Sequence, residues 1–278
     1  MPRYACPEWI SAIGALDAAG EIPRFDLISR KLKNRTGWEI VAVPGLIPDD
    51  AFFTHLANRR FPVTVWLRKP EEFDYIVEPD VFHDLFGHVP LLMNPVFADY
   101  MEAYGRGGVK AHGIGPDALQ NLTRLYWYTV EFGLIRQPDG LRIYGSGIVS
   151  SKGESIHCLE SKAPNRIGFD LERIMRTRYR IDTYQKTYFV IRGFDQLFEA
   201  TKATVKANAV QNGLYHDVSQ DAEDDRPEED ALEEHFTARI QHLLDRRDDE
   251  PHHKPEQNPG HRGSASIARQ RRWSVMIF

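Results

Sequence analysis

Two histidines inside an apolar run constrain this chain more than any other feature. In "EPDVFHDLFGHVP", Glu78 to Pro90, His83 and His88 stand among Val, Phe and Leu. Imidazoles placed in a core must be hydrogen-bonded or ligated. Asp80 suits a helix N-cap, which puts His83 in the first turn of a helix over 80–88. Five residues of a regular α-helix turn through about 500°, so the two rings would diverge by roughly 140°. Gly87 and Pro90 bracket His88, and a break there would redirect its ring toward that of His83. A pair built this way reads as two ligands of one metal. The competing reading is two core histidines, each bonded to backbone.

The simplest third ligand is a carboxylate on another apolar helix. Glu131 in "LYWYTVEFG" has Val130 and Phe132 as neighbours, with Trp127 four residues before it on the same face. It falls in the last turn of its expected helix, where the helix dipole disfavours an anion. A buried carboxylate there needs a cation, either Arg136 in a plain salt bridge or a metal ion. Two His and one carboxylate leave open positions on an octahedral ion and suit non-haem Fe(II) and oxygen chemistry. A zinc hydrolase ranks second, because its helical motif is HExxH. Here the spacing is HxxxxH and the intervening acid is Asp84.

Composition closes off other classes. The chain has 278 residues, 42% hydrophobic and 27% charged, with a net charge of −5. That charge is unevenly spread. Residues 217–250 hold 14 acidic and 4 basic residues, and residues 251–278 hold 5 basic and 1 acidic. Residues 1–216 are thus nearly neutral, which offers no case for nucleic-acid binding. No run of about 18 apolar residues is present, so no membrane span is expected, and the first residues do not read as a signal peptide. Two cysteines, Cys6 and Cys158, make neither a disulfide framework nor a CxxC zinc site, and a reducing, cytoplasmic setting is expected.

The expected fold class is α+β, mainly α with short β-strands, in a single catalytic domain over 1–213. Helices are expected over 8–19, 24–35, 49–60, 80–88, 95–106, 116–133 and 169–177. The helix over 95–106 is expected to end at Gly105, Gly107 and Gly108. Strands are expected over 38–43, 61–68 and 187–191, with a strand and Gly-rich turn over 141–151. Residues 214–278 read as an acidic and then basic, largely disordered tail. Within it, a helix over 228–247 would dock on the core or pair weakly with a second copy. A monomer is the expected state.

Several segments together carry a family resemblance. They are "PGLIPDDAFFTHLANRRFPVTVWLR", "DYIVEPDVFHDLFGHVPLLMNPVFADYM", "RLYWYTVEFGLI", "RIYGSGIVSSKGES" and "NRIGFDLERIMRTRYRIDTYQKTYFVI". The combination of EPDxxHxxxxH with YWxxVEFGL resembles the catalytic domain of the pterin-dependent aromatic amino acid hydroxylases, and its bacterial branch in particular. The resemblance covers roughly residues 20–205. It implies hydroxylation of an aromatic amino acid by O2, with Fe(II) and a tetrahydropterin, tetrahydrobiopterin-like, as cofactors. Phenylalanine is the expected substrate, with conversion to tyrosine as a first catabolic step. Tyrosine or tryptophan hydroxylation, or an impaired iron- and pterin-binding protein, are the alternatives.

The same resemblance implies residue roles. His83, His88 and Glu131 fall at the iron ligands. Arg68 falls at the position that binds the substrate carboxylate, Trp127 at the platform for the substrate ring, and Tyr75, Gly147 and Ser150 at other substrate-pocket positions. Ser150 also falls next to a histidine ligand, with Glu154 supporting that network. Phe52 falls at the pterin-stacking position, after the loop Gly45 to Pro48, with Tyr126 and Asp84 on the pterin side. Asp84 stands where the animal enzymes have Glu. Family members carry further N-terminal residues and, in animals, a regulatory domain, so the N-terminus of this domain is read as shortened.

Overall fold

The structure is a computed structural model, and it describes residues 3–18, 24–72 and 78–207. Tyr75 and the tail 214–278, with its expected helix over 228–247, lie outside the described residues. The opening third holds α1 (Pro7–Leu16), α2 (Phe25–Thr36), β1 (Glu39–Val43), α3 (Asp49–Ala57) and β2 (Arg60–Thr64). Next come a π-helical segment, His83–His88, and a 3-10 segment, Val89–Met93. They lead into α4 (Pro95–Ile114) and α5 (Pro116–Tyr126), and α5 runs on into a second π-helical segment, Trp127–Glu131. Then follow β3 (Leu134–Gln137), β4 (Gly140–Ile143), α6 (Ser146–Val149) and α7 (Lys152–Glu160). The last elements are β5 (Asn165–Gly168), α8 (Leu171–Arg176), β6 (Thr187–Ile191) and α9 (Phe194–Ala207). The mainly helical α+β class is as expected.

Helix starts follow local chemistry. Asn94 caps α4 by accepting from the N–H groups of Val96 and Phe97, with Pro95 at the first helical position. Asp170 caps α8 through Arg173, and Ser151 caps α7 through Glu154. Strands β1 and β2 pair in parallel across α3, with Glu39 opposite Arg60. The larger sheet runs β4-β3-β6-β5, antiparallel between β3 and β4 and parallel elsewhere. All five residues of β6 are buried, as expected of a strand covered on both faces.

Helix α4 departs from expectation. It does not stop at Gly105, Gly107 and Gly108 but continues to Ile114. The glycines are there for packing. A Cβ on Gly105 would lie 2.3 Å from the backbone nitrogen of Ala57, and one on Gly108 would lie inside the Phe53 ring. The loss of helix propensity lets α3 approach α4 at backbone distance. That approach sets α3, and with it Phe52, against the rest of the domain.

Gly105→Ala is therefore expected to destabilise the protein by about 1–3 kcal/mol. Gly113→Ala, at an exposed site with nothing within 4 Å of the added carbon, should be neutral or stabilising by up to about 1 kcal/mol. Urea unfolding of the two variants checks this, and equal losses would contradict the packing argument.

Candidate metal centre and active site

The five-residue spacing of the histidines has a different cause from the expected helix break. His83–His88 is π-helical, and the N–H of Val89 bonds to the carbonyl of Asp84, five residues back. In that winding, residues five apart take the place that residues four apart hold in an α-helix. His83 and His88 share a face for this reason, with Nε2 atoms 3.0 Å apart. The helix carrying Glu131 ends the same way, with Phe132 N–H donating to Trp127 O at 2.8 Å. Asp80 does act as the cap. Its Oδ1 accepts the N–H of His83 at 2.9 Å.

Glu131 meets the pair. Its Oε1 lies 3.0 Å from His88 Nε2 and its Oε2 lies 3.6 Å from His83 Nε2. Arg136 makes no contact with it among the interactions of the described residues. His83, His88 and Glu131 are 7%, 5% and 1% exposed. Burial pushes both imidazoles down to about 4, so they are neutral at physiological pH. Burial pushes the Glu131 carboxyl up to about 7, against the pull of His83, the Ser146 hydroxyl and the Gly147 N–H. The contacts are therefore not ion pairs. Glu131 Oε1 is buried without a hydrogen-bond partner, despite its closeness to His88.

This geometry fits a cation. His83 Nδ1 lies 2.9 Å from Ser150 Oγ, whose own proton goes to Ser146 O, so His83 Nε2 is left to accept, and His88, with Nδ1 3.5 Å from Tyr126 OH, turns its Nε2 to the same point. With Glu131 ionised and both rings deprotonated at Nε2, two nitrogen lone pairs and an orphaned carboxylate oxygen make a donor set that a cation completes. Asp84 is the other nearby acid, and its ligand atom groups with those of His83 and His88 within 4.8 Å. Its Oδ2, however, accepts from both Thr64 N–H at 2.8 Å and Thr64 Oγ at 2.9 Å. Glu131 approaches the imidazoles more closely and has the free oxygen, so it is the stronger third donor. Burial lifts Asp84 to about 6.

A pocket opens beside His88. Phe52, Asp84 and Tyr126 line it together with Gly45 and Ile47. The Phe52 and Tyr126 ring centroids are 5.8 Å apart, nearly edge-on. On the other side, Arg68 is 6% exposed and grips Asp80, with Nε to Oδ2 at 2.9 Å and Nη2 to Oδ1 at 2.8 Å. Burial alone would raise Asp80, but Arg68 and the N–H groups of His83 and Arg68 hold it below its usual range. The strand expected over 61–68 ends at Thr64, so Arg68 lies in the segment after β2, and Asp80 couples that segment to the first histidine.

The remaining expected residues are also placed. Gly147 lies where a Cβ would press on Phe132 and on Glu131 Oε2 at 3.0 and 3.1 Å. Trp127 stacks on Tyr179 at 4.3 Å and packs against Phe132 at 4.6 Å. Its Nε1 donates to Gln185 Oε1 at 3.0 Å. Glu154 does not bond to Ser150. Its Oε1 accepts the Gln185 N–H at 3.0 Å and the Tyr188 hydroxyl, so it supports Trp127 at one remove. Sequence reasoning passed over Ser146, Gln185, Tyr179 and Thr64. Only their position in matched segments set them apart from ordinary polar residues.

A buried two-histidine, one-carboxylate cluster beside an aromatic-lined pocket, on a mainly helical domain, defines a non-haem metal protein. Residues 1–224 match the family described as biopterin-dependent aromatic amino acid hydroxylase, and the chain belongs to that family. It is 67% identical over 202 residues to phenylalanine-4-hydroxylase of Chromobacterium violaceum, covering 72% of this chain and 67% of that protein. It is 64% identical over 203 residues to phenylalanine-4-hydroxylase of Ralstonia nicotianae, covering 73% and 64%. The aligned region thus spans about two thirds of those relatives. Solved structures of the Chromobacterium violaceum enzyme superpose with a TM-score of 0.77. The cobalt-bound form is 61% identical and covers 81% of each chain. The form with bound oxidised Fe(III) is 60% identical and covers 81% of this chain and 82% of that one. Among the described residues, no helix is long and apolar enough to cross a membrane.

Because the Glu131 carboxyl is raised to about 7, a divalent ion must displace its proton at lower pH. Affinity for cobalt(II) should therefore rise about tenfold per pH unit up to roughly 7 and level off above it. The imidazoles, near 4, do not compete in that range, and Asp84 stays on Thr64. Chelator competition from pH 5.5 to 8 measures this. A flat profile below pH 7 would contradict it.

Proposed function

We propose that this chain is a phenylalanine 4-monooxygenase, converting L-phenylalanine to L-tyrosine with O2 and a tetrahydropterin at a non-haem Fe(II). The observation that carries the reading is the convergence of His83 Nε2, His88 Nε2 and the orphaned Glu131 Oε1 at one buried point. High identity to phenylalanine-4-hydroxylases supports the choice of substrate. Bound together, Fe(II) and the reduced pterin supply the reduction of O2 that delivers one oxygen atom to the aromatic ring.

The protein's own part is positioning and exclusion of water. His83, His88 and Glu131 hold the iron. Phe52 and Tyr126 offer flat apolar walls to the pterin, and Asp84 offers an acceptor for its N–H groups. Arg68 takes the substrate carboxylate. Its bonds to Asp80 use Nε and Nη2, which leaves Nη1 for a ligand. Trp127, held by Gln185, sets the wall against which the substrate ring lies. Tyr75, Gly147 and Ser150 complete the substrate side, and Glu154 secures Gln185. On the same reading, residues 1–213 form the catalytic domain of a cytoplasmic monomer, with residues 228–247 available for a weak dimer contact. Buried, unpaired Cys6 and Cys158 agree with a reducing compartment.

Tyrosine should form from phenylalanine only when Fe(II) and a tetrahydropterin are both supplied, and faster than tyrosine or tryptophan is hydroxylated. His83→Ala should lose stoichiometric iron and reduce turnover by at least about 100-fold. Absence of turnover in folded, iron-loaded protein would overturn the reading, as would full iron occupancy in the His83→Ala variant.

A further inference from the structure

Glu131 is treated differently by the protein at its two oxygens. Oε2 accepts the Ser146 hydroxyl at 2.8 Å, the stronger of two protein donors to this carboxylate, the other being the Gly147 N–H. Oε1 has no hydrogen-bond partner and lies 3.0 Å from His88 Nε2. Ser146 is 1% exposed and begins α6 directly after the Gly145 bend, so its own position is fixed. Its Oγ also lies 3.1 Å from Val130 O and 3.0 Å from His88 Nε2. A hydroxyl has one proton to give. With His88 Nε2 committed to an ion, the choice is between a neutral carbonyl and a carboxylate, and the charge-assisted bond is the stronger.

We propose that Ser146 is a positioning residue that makes Glu131 a one-oxygen ligand, holding Oε2 back so that only Oε1 reaches the metal. Carboxylates bind ions through one oxygen or two, and a free one takes both where the ion has room. A second carboxylate oxygen on the ion would occupy a position that O2 or substrate needs. Holding Oε2 on a protein donor keeps that position available. The inference rests on Glu131 being a ligand.

Cobalt(II) loaded into the full-length protein reads this out directly, since its visible bands respond to a second carboxylate oxygen taking up a ligand position. Three variants are compared with the wild type at matched cobalt occupancy. Ser146→Ala should shift the cobalt bands and change their intensity, as the loosened carboxylate closes on the ion with both oxygens. In the iron-loaded enzyme it should lower kcat by about tenfold with little change in KM for phenylalanine. Ser155→Ala removes another buried hydroxyl, one that donates to Ile148 O at 2.8 Å, and should leave spectrum and kcat alone. Glu131→Ala should lose cobalt. A wild-type spectrum and kcat in Ser146→Ala, with cobalt lost in Glu131→Ala, would overturn the role of Ser146 and leave the ligand assignment standing. Cobalt retained at wild-type affinity in Glu131→Ala would overturn both.

Discussion

The structure depends on three ligand-type side chains, two imidazoles and a carboxyl, held against one another away from water. Two neutral imidazoles bring their Nε2 atoms to 3.0 Å from each other, and an unpartnered oxygen of Glu131 lies 3.0 Å from that of His88. Burial denies these groups water, lowers both histidines and raises Glu131. A cation at the meeting point turns three unfavourable burials into ligand bonds. Much of the surrounding architecture serves to hold these groups in place. Two π-helical segments aim them, Asp80 anchors the first histidine to Arg68 in the segment after β2, and α6 with its C-cap supplies Ser146 and Ser150 behind Glu131 and His83.

The same elements set the surroundings of the cluster. On one side, the glycine-mediated approach of α3 to α4 brings Phe52 toward Tyr126 and His88. On the other, the long link from Glu154 through Gln185 fixes the Trp127 ring. Arg68 stands at the edge of the cluster with part of its guanidinium already committed to Asp80. The histidine-carboxylate cluster thus has an aromatic-lined pocket beside it and is tied through Asp80 to a buried arginine.

Some of this was legible in the sequence and some was not, for physical reasons. Apolar periodicity and a capping residue such as Asp80 mark helices because both act over three or four residues. Buried acids and imidazoles are conspicuous, so His83, His88 and Glu131 stood out. The π-winding left no such trace, and the five-residue spacing looked like a mismatch that needed a helix break. Gly105 and Gly108 looked like stop signals because propensity is local, whereas their use is a contact with α3 more than forty residues away. The strands β3 and β5 and the helices α7 and α9 went unnoticed, the strands being only four residues each and paired with distant partners. Ser146 and Gln185 act through single hydrogen bonds, and nothing in their neighbours announces such a bond.

The central claim is that the fold is completed by a divalent ion at His83, His88 and Glu131. Thermal unfolding of metal-free protein, with and without Fe(II) under anaerobic conditions, tests it most directly. At about a hundred times the dissociation constant, binding adds roughly 2.7 kcal/mol. For a domain of this size that raises Tm by about 5–10 °C. The rise should vanish in Glu131→Ala. An unchanged Tm in the wild-type protein, or an equal rise in the variant, would contradict the account.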